Sequence, residues 1–510
     1  MSAVLDWPVA PDDDLGTALW TADGIAQATG GTTGGEPFAV AGATTDSREV
    51  MAGDLFIALR GGTADGHRFI EGAFANGAAG ALVETPVAHP HVLVADSAAA
   101  LDGLGRAARA RLMPEARVIG VTGSAGKTGV KEALYAALDR SSRGQAHRSV
   151  KSYNNHVGVP LSLVRMPARA RFGVFEMGMN HAGELSALTQ LVRPHVAVIT
   201  TIAPAHIGHF SGEEAIADAK AEIFEGLEPG GVAIIPADNP HVERLAAVAA
   251  RHAARVIRFG TAADADVRLI DAIPTASGGT LVTAEFAAST GIQRKLCYTI
   301  SQPGAHWAVN SLAVMAAVAV VGGDLGAAGL ALAELPDLAG RGARHTIAAD
   351  GGDGSGTALV IDESYNANPA SMRVTLAQLG ATPARRRVAV LGAMLELGEG
   401  SDGYHADLAG PIHAAGVARA VLVGAEMAAL NAALGKMREP ALAAAIDFVH
   451  VPGAAQAAEL IGSGEWAPQG GDVILIKGSN SVGLGALVRA LTERRPGGDD
   501  WHGRQATGDI

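Results

Sequence analysis

The stretch Val118-Ile-Gly-Val-Thr-Gly-Ser-Ala-Gly-Lys-Thr128 decides how the rest of the chain is read. It predicts a buried strand running into a glycine-punctuated loop, with a helix starting near Lys127. A unit of this kind cradles phosphate. Small residues at Gly123, Ser124, Ala125 and Gly126 let backbone N–H groups approach a polyphosphate, and the helix N-terminus adds positive potential. Lys127 would reach the terminal phosphates, and the Thr128 hydroxyl would ligate Mg²⁺. The strict Walker pattern wants glycine where this chain has Val121, and its first loop glycine is Gly123, so the loop is a shortened variant. The expected ligand is a nucleoside triphosphate; the alternative is an ordinary strand-to-helix turn.

Working outward, 510 residues exceed what one core organises and suggest about two to four domains. With 39 basic against 52 acidic residues the net charge is −13, so no basic surplus exists for nonspecific nucleic-acid binding. A few local cations still suffice for a small anionic substrate. The single cysteine, Cys297, excludes an intramolecular disulfide and suits a reducing cytoplasm. The opening residues lack a basic region followed by an apolar one, so no signal peptide is expected. The apolar stretch Leu312 to Val321 is too short to span a bilayer. The expectation is a cytoplasmic protein without membrane insertion.

Three α/β domains are expected. Residues 1–100 carry short strands at Leu55–Leu59, Gly80–Val83 and His91–Val94 with helices between them. Residues 101–335 alternate helices with strands at Arg117–Val121, Phe172–Glu176, Val196–Thr201 and Gly231–Pro236, which implies a mainly parallel sheet. In residues 336–495 the rhythm restarts, with Ala358–Asp362, Arg387–Gly392, Ala420–Gly424, Phe448–Val451 and Val473–Lys477, as in a doubly wound, Rossmann-like domain. The polar tail 496–510 is expected to be disordered.

Ligands of open parallel sheets sit beyond the carboxyl ends of strands. Glu176 stands at such an end, either holding a metal beside the phosphate loop or turned to solvent. His206 and His209 follow another strand; they read as a zinc pair or as a single histidine touching Mg²⁺ or substrate, and no further ligand lies nearby in sequence. Ser211-Gly-Glu-Glu214 is a capping-box pattern opening a helix whose stripe is Ile216, Ala219, Ile223, Phe224 and Leu227. Lys220 lies on that stripe. It either snorkels to water or, depressed from its reference pKa of about 10.4, reacts with CO₂ to give a carbamate able to bridge two Mg²⁺ ions. Asn310 could read an adenine edge, Arg341 supplies a permanent cation, and Asp362 could hold a ribose hydroxyl. Their plain alternatives are a capping asparagine, a solvated arginine and a turn.

Together these segments resemble the Mur ligases, ATP-dependent amide-forming enzymes of peptidoglycan precursor synthesis. The loop Thr122–Thr128 matches, with Gly129 where serine or threonine is usual, and Tyr153-Asn154-Asn155-His-Val-Gly158-Val-Pro160 matches the family's substrate segment. Glu176 and His206 fall on its magnesium positions, and Ala219-Lys220-Ala-Glu-Ile-Phe on its carbamylated-lysine segment. Four further features resemble the branch that adds D-alanyl-D-alanine to a UDP-N-acetylmuramoyl-tripeptide. They are Thr45-Asp46-Ser47-Arg48 with Asp65-Gly-His67, Asp362–Ser371, Leu391–Glu399 with His405, and Lys477-Gly-Ser-Asn480. Asn480 stands where arginine is usual and Ala393 where aspartate is common. The Asp-Asn-Pro-Arg motif of the sister that adds a diamino acid is missing.

The resemblance implies ATP and Mg²⁺ as cofactors, a carbamylated Lys220, and a monomer acting on the UDP-tripeptide and D-alanyl-D-alanine. ATP would meet Gly123 to Thr128, Asn310, Arg341, Asp362, Tyr365 and Asn366. The metal would meet Thr128, Glu176, His206 and Lys220. Substrates would meet Ser47, Arg48, His67, Asn154, Asn155, Asn368 and Lys477, with Lys127, Lys220, His206 and Arg341 as the catalytic set. Alternatives are a sister or folate-polyglutamate type of ligase on the same core, or a nucleotide-gated ATPase that does not ligate.

Overall fold

The computed structural model describes residues 18–61, 65–204, 208, 210–275, 279–349, 356–437 and 446–493. The expected disordered tail and both His206 and His209 lie outside the described residues. Among the described residues three α/β domains are built on three large sheets, beside a two-stranded antiparallel pair of Trp20–Thr21 with Ala39–Val40.

The first sheet has the spatial order Thr32–Gly34, His91–Leu93, Gly80–Val83, Asp54–Ile57, Gly42–Thr44, parallel except for its first strand. The helix Ser97–Ala110 leads out of it, capped by the Asp96 carboxylate, which accepts from the N–H groups of Ala98 and Ala99. Its Leu101, Leu104 and Ala108 share a core with Val118, Val159 and Phe175 of the second domain. Burying apolar surface from both domains in one cluster docks them firmly. Arg111 reinforces the joint, stacked over Trp20 at 3.7 Å and donating to the Leu19 and Met166 carbonyls.

The central sheet has nine strands, in the order Arg294–Ile300, Thr280–Phe286, Val267–Pro274, Arg255–Gly260, Val232–Pro236, Val196–Ile199, Arg117–Thr122, Phe172–Glu176, Ala146–Arg148. It is parallel from Ala146–Arg148 to Val267–Pro274, as expected, and then continues as an antiparallel ribbon. After Arg117–Thr122 the chain builds to one side through Phe172–Glu176 and then to the other through Val196–Ile199. This is a topological switch point, where the loops diverge and leave a crevice. The phosphate loop sits there. The strand expected to reach Thr201 ends at Ile199; beyond it Thr200 donates its N–H to the Thr122 carbonyl, and the Thr201 carbonyl accepts from the Ser124 N–H of the phosphate loop.

The third sheet runs Ala343–Ala349, Gly356–Glu363, Asp472–Lys477, Arg386–Gly392, Arg419–Val423, Asp447–Val451, again with an antiparallel first strand. One expectation is corrected in the second domain. The helix Glu213–Ala221 has Gly212, not Ser211, at its N-cap, and no side chain caps it. With Ser211 one residue too early, the reciprocal bonds of a capping box cannot form. Arg244 instead takes Glu214 and Asp218 on the solvent side.

Candidate active site

The helix Lys127–Ser142 begins where the loop ends, with Gly126 as its N-cap at φ +81°, a conformation that L side chains avoid. A Cβ there would also come within 3.0 Å of the Asn310 amide. The loop is pinned from the neighbouring strand end: Ser124 donates its N–H to the Thr201 carbonyl and its hydroxyl to that of Ala203, each at 2.8 Å. Lys127 folds back so that Nζ donates to the Gly123 carbonyl at 2.7 Å. Burial holds its pKa below the usual lysine range, Glu176 partly offsets this, and Arg341 adds to it. One departure from the family pattern has a packing reason: a Cβ on Gly129 would come within 2.9 Å of the Trp307 ring, which covers the helix there.

Thr128 and Glu176 meet beyond the two strand ends, the hydroxyl donating to Oε2 at 2.8 Å. The Asn154 amide donates to Oε1 of the same carboxylate, also at 2.8 Å. Glu176 is buried, and a hydroxyl beside a carboxylate is the hard oxygen donor set that suits Mg²⁺. Ser152 Oγ lies 3.5 Å from Thr128 Oγ1 and accepts from Arg341 Nη2 at 3.1 Å, so the third domain already reaches this centre. Lys220 is buried on its apolar stripe rather than snorkelling to water. Burial, then the neighbouring Lys127 ammonium, push its pKa well below the lysine range. Among the described residues no group of three or more His, Cys, Asp or Glu forms a ready metal cage.

A cleft of about 410 Å³ opens between the second and third domains, with Asn310, Arg341, Asn366, Asn368 and Lys477 on its walls. Other lining residues that no sequence pattern singled out are His306 and Trp307, one turn before Asn310 on the helix Ala305–Val320, and Asn239. A smaller pocket of about 210 Å³ carries Ser124 to Lys127, Ser152, Asn154, Glu176, Arg341, Tyr365 and Asn366. The Arg341 guanidinium stacks 4.2 Å above the Tyr365 ring. Lys477 Nζ donates to the Asn366 carbonyl at 2.8 Å and pairs with Glu363 at 3.4 Å.

Two residues are placed differently from expectation. Asp362 is buried in its own turn, accepting from the N–H of Gly340 and from the N–H and hydroxyl of Ser364, while Glu363 faces the cleft in its place. Asn368 caps the helix Pro369–Ala381 through a box with Ser371, and its amide donates to the Ser124 carbonyl at 3.3 Å. It therefore touches the phosphate loop.

A third cleft, about 580 Å³, lies between the first and second domains, lined by Ser47, Arg48, Phe69, Tyr153, Asn155 and their neighbours. Arg48 is exposed there and paired with Asp46 at 2.8 Å. Asn155 also accepts from the N–H groups of Val157 and Gly158. His67 is committed within the first domain, with Nδ1 at 2.7 Å from Asp65 and Nε2 accepting from the Glu84 N–H.

A phosphate loop at a sheet's switch point, faced by a second α/β domain carrying an arginine, defines the architecture of a three-domain ATP-dependent ligase. The comparisons agree. The descriptions "Mur ligase family, catalytic domain", "Mur ligase middle domain" and "Mur ligase, glutamate ligase domain" match residues 39–127, 121–318 and 351–480. The chain belongs to the Mur ligase family. It is 34% identical over 453 residues to UDP-N-acetylmuramoyl-tripeptide–D-alanyl-D-alanine ligase of Escherichia coli K12, covering 88% of this chain and 93% of that one. Its identity to the Bacillus subtilis enzyme of the same name is 31% over 464 residues, 90% and 94% of the two chains. Among solved structures, MurF from Acinetobacter baumannii superposes with a TM-score of 0.76 at 28% identity, covering 93% of this chain and 99% of that one. MurF ligase from Thermotoga maritima in complex with ADP shares the fold, with a TM-score of 0.68 at 24% identity over 88% and 97% of the chains.

Proposed function

We propose that this chain joins D-alanyl-D-alanine to a UDP-N-acetylmuramoyl-tripeptide with ATP, acting as a monomer in the cytoplasm without a nucleic-acid partner. No helix among the described residues is long and apolar enough to cross a membrane. One observation carries the reading. Along residues 152–155 the side chains alternate: Ser152 and Asn154 line the phosphate pocket, Tyr153 and Asn155 line the cleft of the first domain. A substrate anchored in that cleft therefore meets the γ-phosphate across a single short segment, the proximity that phosphoryl transfer to a carboxylate requires.

The tripeptide's terminal carboxylate oxygen attacks the γ-phosphorus and ADP leaves, giving an acyl phosphate. Lys127 faces the growing charge from the loop and Arg341 from the third domain. Thr128 and Glu176 would hold a Mg²⁺ ion, which would supply positive charge beside the transferring group. A carbamylated Lys220, together with His206, would hold a second ion; the depressed lysine pKa supports this, because only the neutral amine adds to CO₂. The α-amine of the dipeptide then attacks the acyl carbon and phosphate leaves. With a reference pKa of about 7.7–8.0 much of that amine is neutral already, so no strong base is required.

A coupled phosphate assay with each component omitted tests the reading. Phosphate release is expected only with the UDP-tripeptide present, and ligated product only with D-alanyl-D-alanine. Release that ignores both substrates would identify a non-ligase ATPase, and turnover with glutamate and a folate would move the chain to the polyglutamate type.

A further inference from the structure

We propose that Lys131, to which nothing above assigns a role, is a positioning residue that sets the segment 149–155 and with it both faces of the reaction site. It lies one helical turn after Lys127, on the same helix, and is fully buried. A buried ammonium is costly unless every donor finds a partner. Here the donors are filled by the Ser149 and Lys151 carbonyls, each at 2.9 Å, and by Glu132 at 2.6 Å. Glu132 is held in turn by Arg148 at 2.8 Å, which stacks over Tyr135. An isosteric apolar side chain would fill the space without that cost, so what the charge secures is the path of the loop.

That path is one the chain would not choose by itself. Lys151 has φ +52°, in the left-handed region that a residue with a Cβ disfavours. Its carbonyl is one of the two that Lys131 captures. The next four residues then alternate between the phosphate pocket and the precursor cleft, so a turn of the backbone at Lys151 would exchange or misalign the two faces. Ser152 would leave Thr128 and Arg341, and Asn154 would leave Glu176. Tyr153 would leave Glu49 of the first domain, which the Lys151 ammonium also engages.

The inference rests on the ligase reading for its kinetic test but not for its structural one. In Lys131→Met the KM for the UDP-tripeptide is expected to rise about tenfold or more, the cost of a small misplacement, while that for D-alanyl-D-alanine moves less than about twofold. Hydrogen exchange of the amides in 150–155 is expected to quicken while the strand Arg117–Thr122 keeps its protection. A residue needed only for stability would lower the melting temperature and leave the KM ratio alone. Folded Lys131→Met with both KM values and the loop's exchange at wild-type levels overturns the proposal. If that variant does not fold, Lys131→Arg keeps the charge on a larger planar head, and the same selective shift is expected; unchanged kinetics and exchange there also overturn it. Should the wild type fail to ligate at all, the ligase reading fails, and the exchange comparison still decides the role of Lys131.

Discussion

Thr128 and Glu176, 48 residues apart in sequence, share a 2.8 Å hydrogen bond at the base of the phosphate site. The parallel pairing of Arg117–Thr122 with Phe172–Glu176 brings them there: Glu176 is in register with Val121, one residue before Thr122 and the loop. Glu176→Gln keeps the shape and the bond from Asn154 but removes the charge. Turnover is expected to fall about 10²-fold or more, with half-saturation by Mg²⁺ moving to higher concentration. A magnesium titration of wild type and variant checks this, and an unchanged midpoint would remove Glu176 from the metal site.

Lys127→Ala removes the lysine at the first position of the loop's helix and vacates the contact with the Gly123 carbonyl. Phosphate release is expected to drop about 10³-fold or more, since the lost charge acts on the transferring group. Near-wild-type release would contradict the assignment of the loop.

Lys220 gives a pH-dependent prediction. Its folded pKa lies below its unfolded value, so between the two the unfolded chain binds the extra proton. Stability contributed by this group therefore rises with pH across that window and is lost as pH falls through the folded pKa. Lys220→Met is expected to raise the melting temperature of the metal-free protein near neutral pH, by an amount that shrinks toward pH 10. Lys220→Ala is expected to lose about 10²-fold of turnover and to regain part of it with short-chain carboxylates that stand in for the carbamate. Survival of activity without rescue would end the carbamate reading.

Gly129→Ser restores the residue usual in the family but drives a Cβ into the Trp307 ring. Overpacking of this kind costs about 1–3 kcal/mol. Because Trp307 also lines the cleft between the second and third domains, beside Gly126 of the phosphate loop, the KM for ATP is expected to rise alongside the loss measured by denaturant unfolding. A neutral effect on both would show that the ring moves freely.

The buried parallel strands were legible because both their faces are covered, which leaves runs such as Val473 to Leu475 continuously apolar. The ribbon Thr280–Phe286 and Arg294–Ile300 was not legible: only alternate residues are buried, and Thr283, Glu285 and Lys295 break the apolar run. Asp362 and Asn368 show the same boundary at the level of single side chains. Each stands in a segment rich in polar residues, and which of them faces a ligand depends on the turn, where Asp362 binds the backbone of Gly340 and Glu363 takes the cleft.

The sequence by itself determined the phosphate loop, the order of the three α/β domains and the likeness to amide ligases, because these follow from short-range spacing: glycines, a Lys-Thr pair and apolar runs set by backbone geometry. Only the tertiary structure decided what surrounds the loop. The approach of Ser152 to Arg341, the hold of Lys131 on the Lys151 carbonyl and the reach of Asn368 to Ser124 link segments far apart in the chain or turn on a single backbone dihedral. Such contacts form only once packed sheets and helices fix the segments relative to one another, and no local pattern encodes them.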